Sequence, residues 1–138
     1  MTRPNEYRAY FTLVGEFDPA DISTRLGLEP TSSWKKGDLN PKTQLERKHS
    51  RWNLNSRLGQ STSLEEQVRD VLEQLKVCSP TITDLRATVD GGMQLIGYFY
   101  TDYPGFGLDH ETLSELGQLR PGIDCDFYYL YSEKREDS

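Results

Sequence analysis

The stretch from Ser63 to Val77 limits the possible folds more than any other part of the chain. Leu64, Val68, Val71, Leu72 and Leu75 fall on one stripe of a 3.6-residue helix. Ser63 and Glu66 have the spacing of a capping box at its start. Glu65 with Arg69, and Arg69 with Glu73, are opposite charges four residues apart on the wet side. The spacing predicts a helix over 63–76 that stops before Pro80. Its apolar stripe must be buried against another layer. The flanking segments supply that layer, because there the period changes to two. In Tyr7–Gly15, Tyr7, Ala9, Phe11 and Leu13 share one face, and Arg8, Tyr10, Thr12 and Val14 the other. In Arg51–Arg57, Trp52 and Leu54 turn inward while Arg51, Asn53 and Asn55 turn outward.

The remaining elements follow from punctuation. Asp18, Pro19 and Asp21 mark a helix start and Gly27 its stop, which predicts a helix over 18–26 with Ile22 and Leu26 inward. Runs 82–90 and 93–101 read as strands, with Asp90-Gly91-Gly92 as a hairpin turn between them. Asp109 caps a short helix over 109–116 that ends at Gly117, and 123–131 reads as the last strand. The order β-α-β-α-β-β-α-β predicts an α+β two-layer sandwich. Its sheet is expected to be five-stranded and mainly antiparallel, with the helices on one face. Phe17 leads to Leu26-Gly27 much as Phe106 leads to Leu116-Gly117. This echo suggests two related halves, as in a ferredoxin-like fold, with the long helix inserted between them. A length of 138 residues suits one domain, with a core that needs neither disulfide nor metal. Residues 1–6 and 133–138 are expected to fray, and 31–50 to form a long irregular loop.

The residue counts narrow the chemistry. No CxxC, HExxH, Walker A, GxSxG or GxGxxG pattern occurs, and His49 and His110 are isolated. No cofactor, metal or catalytic residue is expected. Cys78 and Cys125 read as reduced, small core residues of a cytoplasmic protein. Mean hydropathy is −0.72, and no run approaches the roughly 20 apolar residues of a membrane span. A net charge of −6 argues against wholesale nucleic-acid binding, which depends on neutralising phosphates. The charge is uneven, however. Between Trp34 and Arg57, Lys35, Lys36, Lys42, Arg47, Lys48, Arg51 and Arg57 face only Asp38 and Glu46. That segment carries +5 and the rest of the chain −11. It reads either as a solvated counterweight to an acidic body or as a basic lobe for an acidic partner.

The strand alternation predicts a polar sheet face. It would carry Arg8, Tyr10 and Thr12, then Arg51, Asn53 and Asn55, then Asp84, Arg86 and Thr88, and finally Asp124, Asp126 and Tyr128. Asp124 and Asp126 project the same way roughly 7 Å apart. They could hold a cation or act as an acid/base pair. The simpler expectation is pairing with Arg8, Arg51 or Arg86. Trp34, beside Lys36 and Asp38 in a basic irregular segment, is the stronger anchor candidate, and Trp52 the weaker. The residues expected to bind are Trp34, Lys36, Asp38, Arg51, Asn53, Asp124, Asp126 and Tyr128.

Phe17-Asp18-Pro19, Leu26-Gly27-Leu28-Glu29-Pro30-Thr31, Lys36-Gly37-Asp38, Trp52, Pro104-Gly105-Phe106 and Asp124 with Asp126 span nearly the whole chain. In these residues the sequence resembles the bacterial family named domain of unknown function 4279. The resemblance implies a small, mostly single-domain bacterial cytosolic protein, and it supplies no activity or catalytic residues. A toxin-immunity role is a loose analogy from other small acidic bacterial proteins. The leading expectation is a non-catalytic module that engages a protein partner, or itself, through the polar sheet face and the 31–50 loop. Two other readings stand beside it. One is a small-ligand domain with its pocket between that loop and the sheet, and the other is an enzyme using Asp124 and Asp126.

Overall fold

The computed structural model describes residues 3–131, so the expected fraying of 133–138 lies outside the described residues. The elements in chain order are β1 (Glu6–Gly15), α1 (Pro19–Leu26), β2 (Ser32–Trp34), β3 (Ser50–Asn55), α2 (Leu64–Leu75), a 3-10 turn (Lys76–Cys78), α3 (Ser79–Leu85), β4 (Asp90–Phe99), α4 (His110–Leu119) and β5 (Gly122–Tyr129). They form an α+β fold around one open five-stranded sheet ordered β2-β3-β1-β4-β5. Three neighbouring pairs are antiparallel, and β4 with β5 is parallel.

Register explains the division into layers. Leu13 lies opposite Trp52, and Phe11 lies between Leu54 and Met93. Ala9 lies opposite Leu95. These side chains share one face and join Ile22, Leu26, Val68, Val71, Leu72, Leu75, Ile82, Leu85, Leu116 and Leu119 in one buried cluster. The helices therefore cover that face. Caps set their starts: the side chains of Asp18, Ser63 and Asp109 accept from the N–H groups of Ala20, Glu66 and Thr112. Gly27, in the left-handed conformation at φ 69°, stops α1.

Five expectations are corrected. Residues 82–90 do not form a strand, because Ile82, Leu85 and Val89 repeat at helical spacing. Ile82 and Leu85 are buried in α3, whose first turn holds Pro80. Asp84, Arg86 and Thr88 therefore leave the sheet, and Arg86 donates instead to the carbonyl of Arg120 at 2.8 Å and to that of Val89. Asp90-Gly91-Gly92 opens β4 and is not a turn. A Cβ on Gly91 would lie 2.5 Å from the Thr12 carbonyl oxygen, and one on Gly92 would lie 2.9 Å from that of Gly122. Residues 31–50 are not an irregular loop. They hold β2 and a hairpin arm with rungs from Gly37 N–H to Arg47 O, Arg47 N–H to Asp38 O, and Asn40 N–H to Leu45 O. α4 runs past Gly117 to Leu119 and ends at Arg120, φ 58°. The ferredoxin-like echo does not extend to pairing either, since no strand separates β4 from its parallel neighbour β5.

β1 is longer than β3, so the first half of one of its edges has no strand beside it. Gln67 of α2, only 2% exposed, fills that place. Its side-chain oxygen accepts from Ala9 N–H at 2.9 Å. Its amide nitrogen donates to the carbonyls of Tyr7 and Thr62 at 2.7 and 3.0 Å.

Candidate functional site

On the sheet face away from the helices, the register assembles rows. Trp34, Arg51, Val14 and Asp90 form one, and Ser32, Asn53, Thr12 and Gly92 the next. Asn55, Tyr10, Gln94 and Asp124 follow, then Arg8, Ile96 and Asp126, and finally Tyr98 beside Tyr128. Arg8, Tyr10, Thr12, Arg51, Asn53, Asn55, Asp124, Asp126 and Tyr128 thus share a face, as the alternation indicates. Gln94, Ile96 and Tyr98 of β4 occupy the place expected for Asp84, Arg86 and Thr88.

The site residues divide between two ends of this face. β3 and β5 are three strand spacings apart, roughly 14 Å. At the first end, Thr12 Oγ1 bonds Asn53 Oδ1 at 2.6 Å, Asn53 Nδ2 donates to Ser32 Oγ at 3.0 Å, and Arg51 Nη1 donates to Thr12 Oγ1 at 3.1 Å. This buried polar seam fixes Arg51 beside half-buried Trp34. The Arg47 guanidinium lies 3.8 Å from the Trp34 ring centroid. Its Nε is buried without a hydrogen-bond partner, so the ring face is its main counterpart. Trp52, in contrast, is fully buried and donates from Nε1 to Ser23 Oγ.

The arm continues this corner outward. Asp38 accepts from Lys35 N–H at 2.9 Å and so holds the turn, and Lys36 N–H donates to Ser50 Oγ. Lys36 Nζ lies 3.3 Å from Glu16 and Arg57 Nη2 lies 2.7 Å from Asp70. Among the described residues no carboxylate lies within 4 Å of the charged side-chain groups of Lys35, Lys42, Arg47, Lys48 or Arg51. Leu39 and Leu45, 59% and 69% exposed, sit near the arm's tip. No apolar period marks these leucines in the sequence.

At the opposite end, Asp124 accepts from Gln94 Nε2 at 2.9 Å and Tyr128 stacks on Tyr98 at 5.2 Å. The expected aspartate–arginine pairs do not form among the described residues. Ile96 stands between Arg8 and Asp126, Arg51 is three strands from β5, and Arg86 lies in the helical layer. Cys125 is exposed, not core, and Cys78 is buried; both are free. Partial burial, and then the carboxylates of Asp124 and Asp126, push the Cys125 thiol pKa up. Among the described residues no cluster of three or more His, Cys, Asp or Glu side chains could hold a metal ion. No helix there is long and apolar enough to cross a membrane.

On the helical side, Phe99, Tyr103, Phe106, Phe127 and Tyr129 form an aromatic cluster with centroid separations from 4.9 to 6.2 Å. Gly97 makes room for it, since a Cβ there would come within 2.7 Å of Phe99 Cζ and 3.2 Å of Phe127 Cδ1. Tyr103, Phe106 and Tyr129 are 41–54% exposed. Phe127 is half-buried against the rim of the core. A nearby depression of about 280 Å³ is lined by Tyr7, Leu64, Glu65 and residues 104–107.

No curated protein and no solved structure matches the chain. Residues 5–130, which contain the described sheet, the arm and α1–α4, match the family described as Domain of unknown function (DUF4279), and the chain belongs to that family.

Proposed function

We propose that the chain is a non-catalytic, cytoplasmic bacterial binding module for an acidic protein partner, gripped by the 35–49 arm and the Trp34–Arg51 corner. The observation that carries this reading is the arm itself. Main-chain rungs hold it out from the sheet, it presents exposed Leu39 and Leu45, and it is flanked by basic groups without carboxylate partners. Apolar anchors ringed by charge of one sign suit a partner of opposite sign, and Trp and Arg are the side chains that most often dominate such contacts. An immunity-type role, binding and blocking another protein, would use such a surface without chemistry.

The test is stoichiometric copurification from an extract with the wild type and with Leu39→Ser/Leu45→Ser/Arg47→Glu. A defined acidic protein retained by the wild type and lost from the variant, with thermal melts unchanged, is the expected result. A partner that stays bound to the variant would place the site elsewhere.

A further inference from the structure

We propose that β5 is a self-association edge, through which two copies pair antiparallel about a two-fold axis and join their sheets into one. The two ends of the sheet differ sharply. β2, at one end, is three residues long and so offers little to pair with. β5, at the other, is an eight-residue strand without proline or lysine. Its main chain is directed outward in a readable pattern. Leu130 N–H donates to Phe99 O, and the parallel register sets Tyr129 beside Phe99. Main-chain groups alternate sides along a strand, so Asp124, Asp126 and Tyr128 bond toward β4. Ile123, Cys125, Phe127 and Tyr129 therefore present N–H and C=O groups to the outer edge, where no strand among the described residues pairs with them. The same four residues place their side chains on the helical side, where none is fully buried.

The two aspartates select the register. A two-fold centred on Cys125 sets Asp124 directly opposite Asp126 of the second copy, twice. Centring on Asp124 or Asp126 sets that carboxylate opposite itself. Like charges directly opposite are destabilising. Centring on Phe127 removes these contacts, because Asp126 then faces Tyr128 of the second copy, a hydroxyl donor. Cys125 faces Tyr129 and Phe127 faces its counterpart, a span that supplies about six main-chain hydrogen bonds. Moving the centre further toward the C-terminus shortens the paired span. The exposed rings of Tyr103, Phe106 and Tyr129 flank this edge and add apolar area, which strand pairing alone would lack.

The experiment uses the full chain. Sedimentation over a concentration range in reducing buffer is expected to show a monomer–dimer equilibrium. Tyr128→Asp should weaken it roughly tenfold, by adding two carboxylate oppositions, and Tyr128→Lys should tighten it. Independently, Tyr129→Cys places a thiol opposite Cys125 of the second copy, at a separation that suits a disulfide. Oxidation at alkaline pH should yield a covalent dimer whose cross-linked peptide joins positions 125 and 129, with Cys78 still reduced. A monomer at every concentration, a dissociation constant indifferent to residue 128, or a cross-link joining Cys125 to Cys125 would each overturn the proposal. Trp34→Ala, on the arm side, should leave the dimer intact, so failure here and failure of the arm's partner binding are separable.

Discussion

Gln67 and Asp70 show how single side chains hold this sheet together. Gln67→Leu keeps the volume but leaves Ala9 N–H and Tyr7 C=O unpaired at a buried edge. Each group so stranded costs about 1–3 kcal/mol. Urea melts should register that loss, and a change below about 0.5 kcal/mol would show that water reaches the edge instead. Asp70 is 10% exposed on its side chain and is gripped by Arg57 through Nη2 at 2.7 Å and N–H at 2.7 Å. Burial opposes its ionisation, but the Arg57 bonds and charge and the Gln74 amide outweigh burial and hold its pKa below the usual carboxylate value. A depressed folded-state pKa adds stability above the unfolded value of about 3.9, and that stability is lost as pH falls through the folded value. The stability gap between wild type and Asp70→Asn should therefore be full at neutral pH and close as pH falls below about 4. A gap that is constant down to pH 2 would contradict the sign. Neither residue stood out in the sequence. A glutamine beside an apolar stripe reads as solvated, and nothing local announces that β1 outruns β3.

Legibility varied from element to element for physical reasons. α2 and β1 each have one buried face, which leaves a period in the sequence. The arm buries neither face, so its order rests on main-chain rungs that leave no side-chain pattern. Residues 82–90 misled because Asp84, Arg86 and Thr88 alternate with Leu85, Ala87 and Val89, while Ile82, Leu85 and Val89 also satisfy a helix. Two mutations decide the point. In a strand Ile82 and Asp84 would share the outer face; in α3, Ile82→Ala empties a fully buried site and should cost about 2–5 kcal/mol, whereas Asp84→Ala, on the exposed side, should stay within about 0.5 kcal/mol. Equal small effects would argue against the helix. Leu72→Ala in α2 should cost the same 2–5 kcal/mol by denaturant melt. The alternation of β5 was readable as well. Its parallel partner was not, because that depends on α4 carrying the chain back to the starting end of β4.

Across the whole molecule, strand order turns a uniform-looking polar face into two distinct regions. Arg51, Asn53, Asp124 and Asp126 were legible as one face, because alternation fixes which side a residue takes. Their separation was not, because alternation says nothing about which strands are neighbours. Trp34 joined the face through a three-residue strand too short to show a period. The arm concentrates positive charge at one end of a chain whose net charge is −6, and a partner's acidic surface would be drawn to that end. The most direct measurement is a calorimetric titration of the captured partner into wild-type protein and into Arg47→Glu/Lys48→Glu, repeated from low salt to physiological ionic strength, where the Debye length falls to about 8 Å. Wild-type affinity is expected to decline as salt rises, and the charge reversal to weaken binding at low salt and remove most of the salt dependence. Binding that is indifferent both to salt and to the reversal would contradict this expectation.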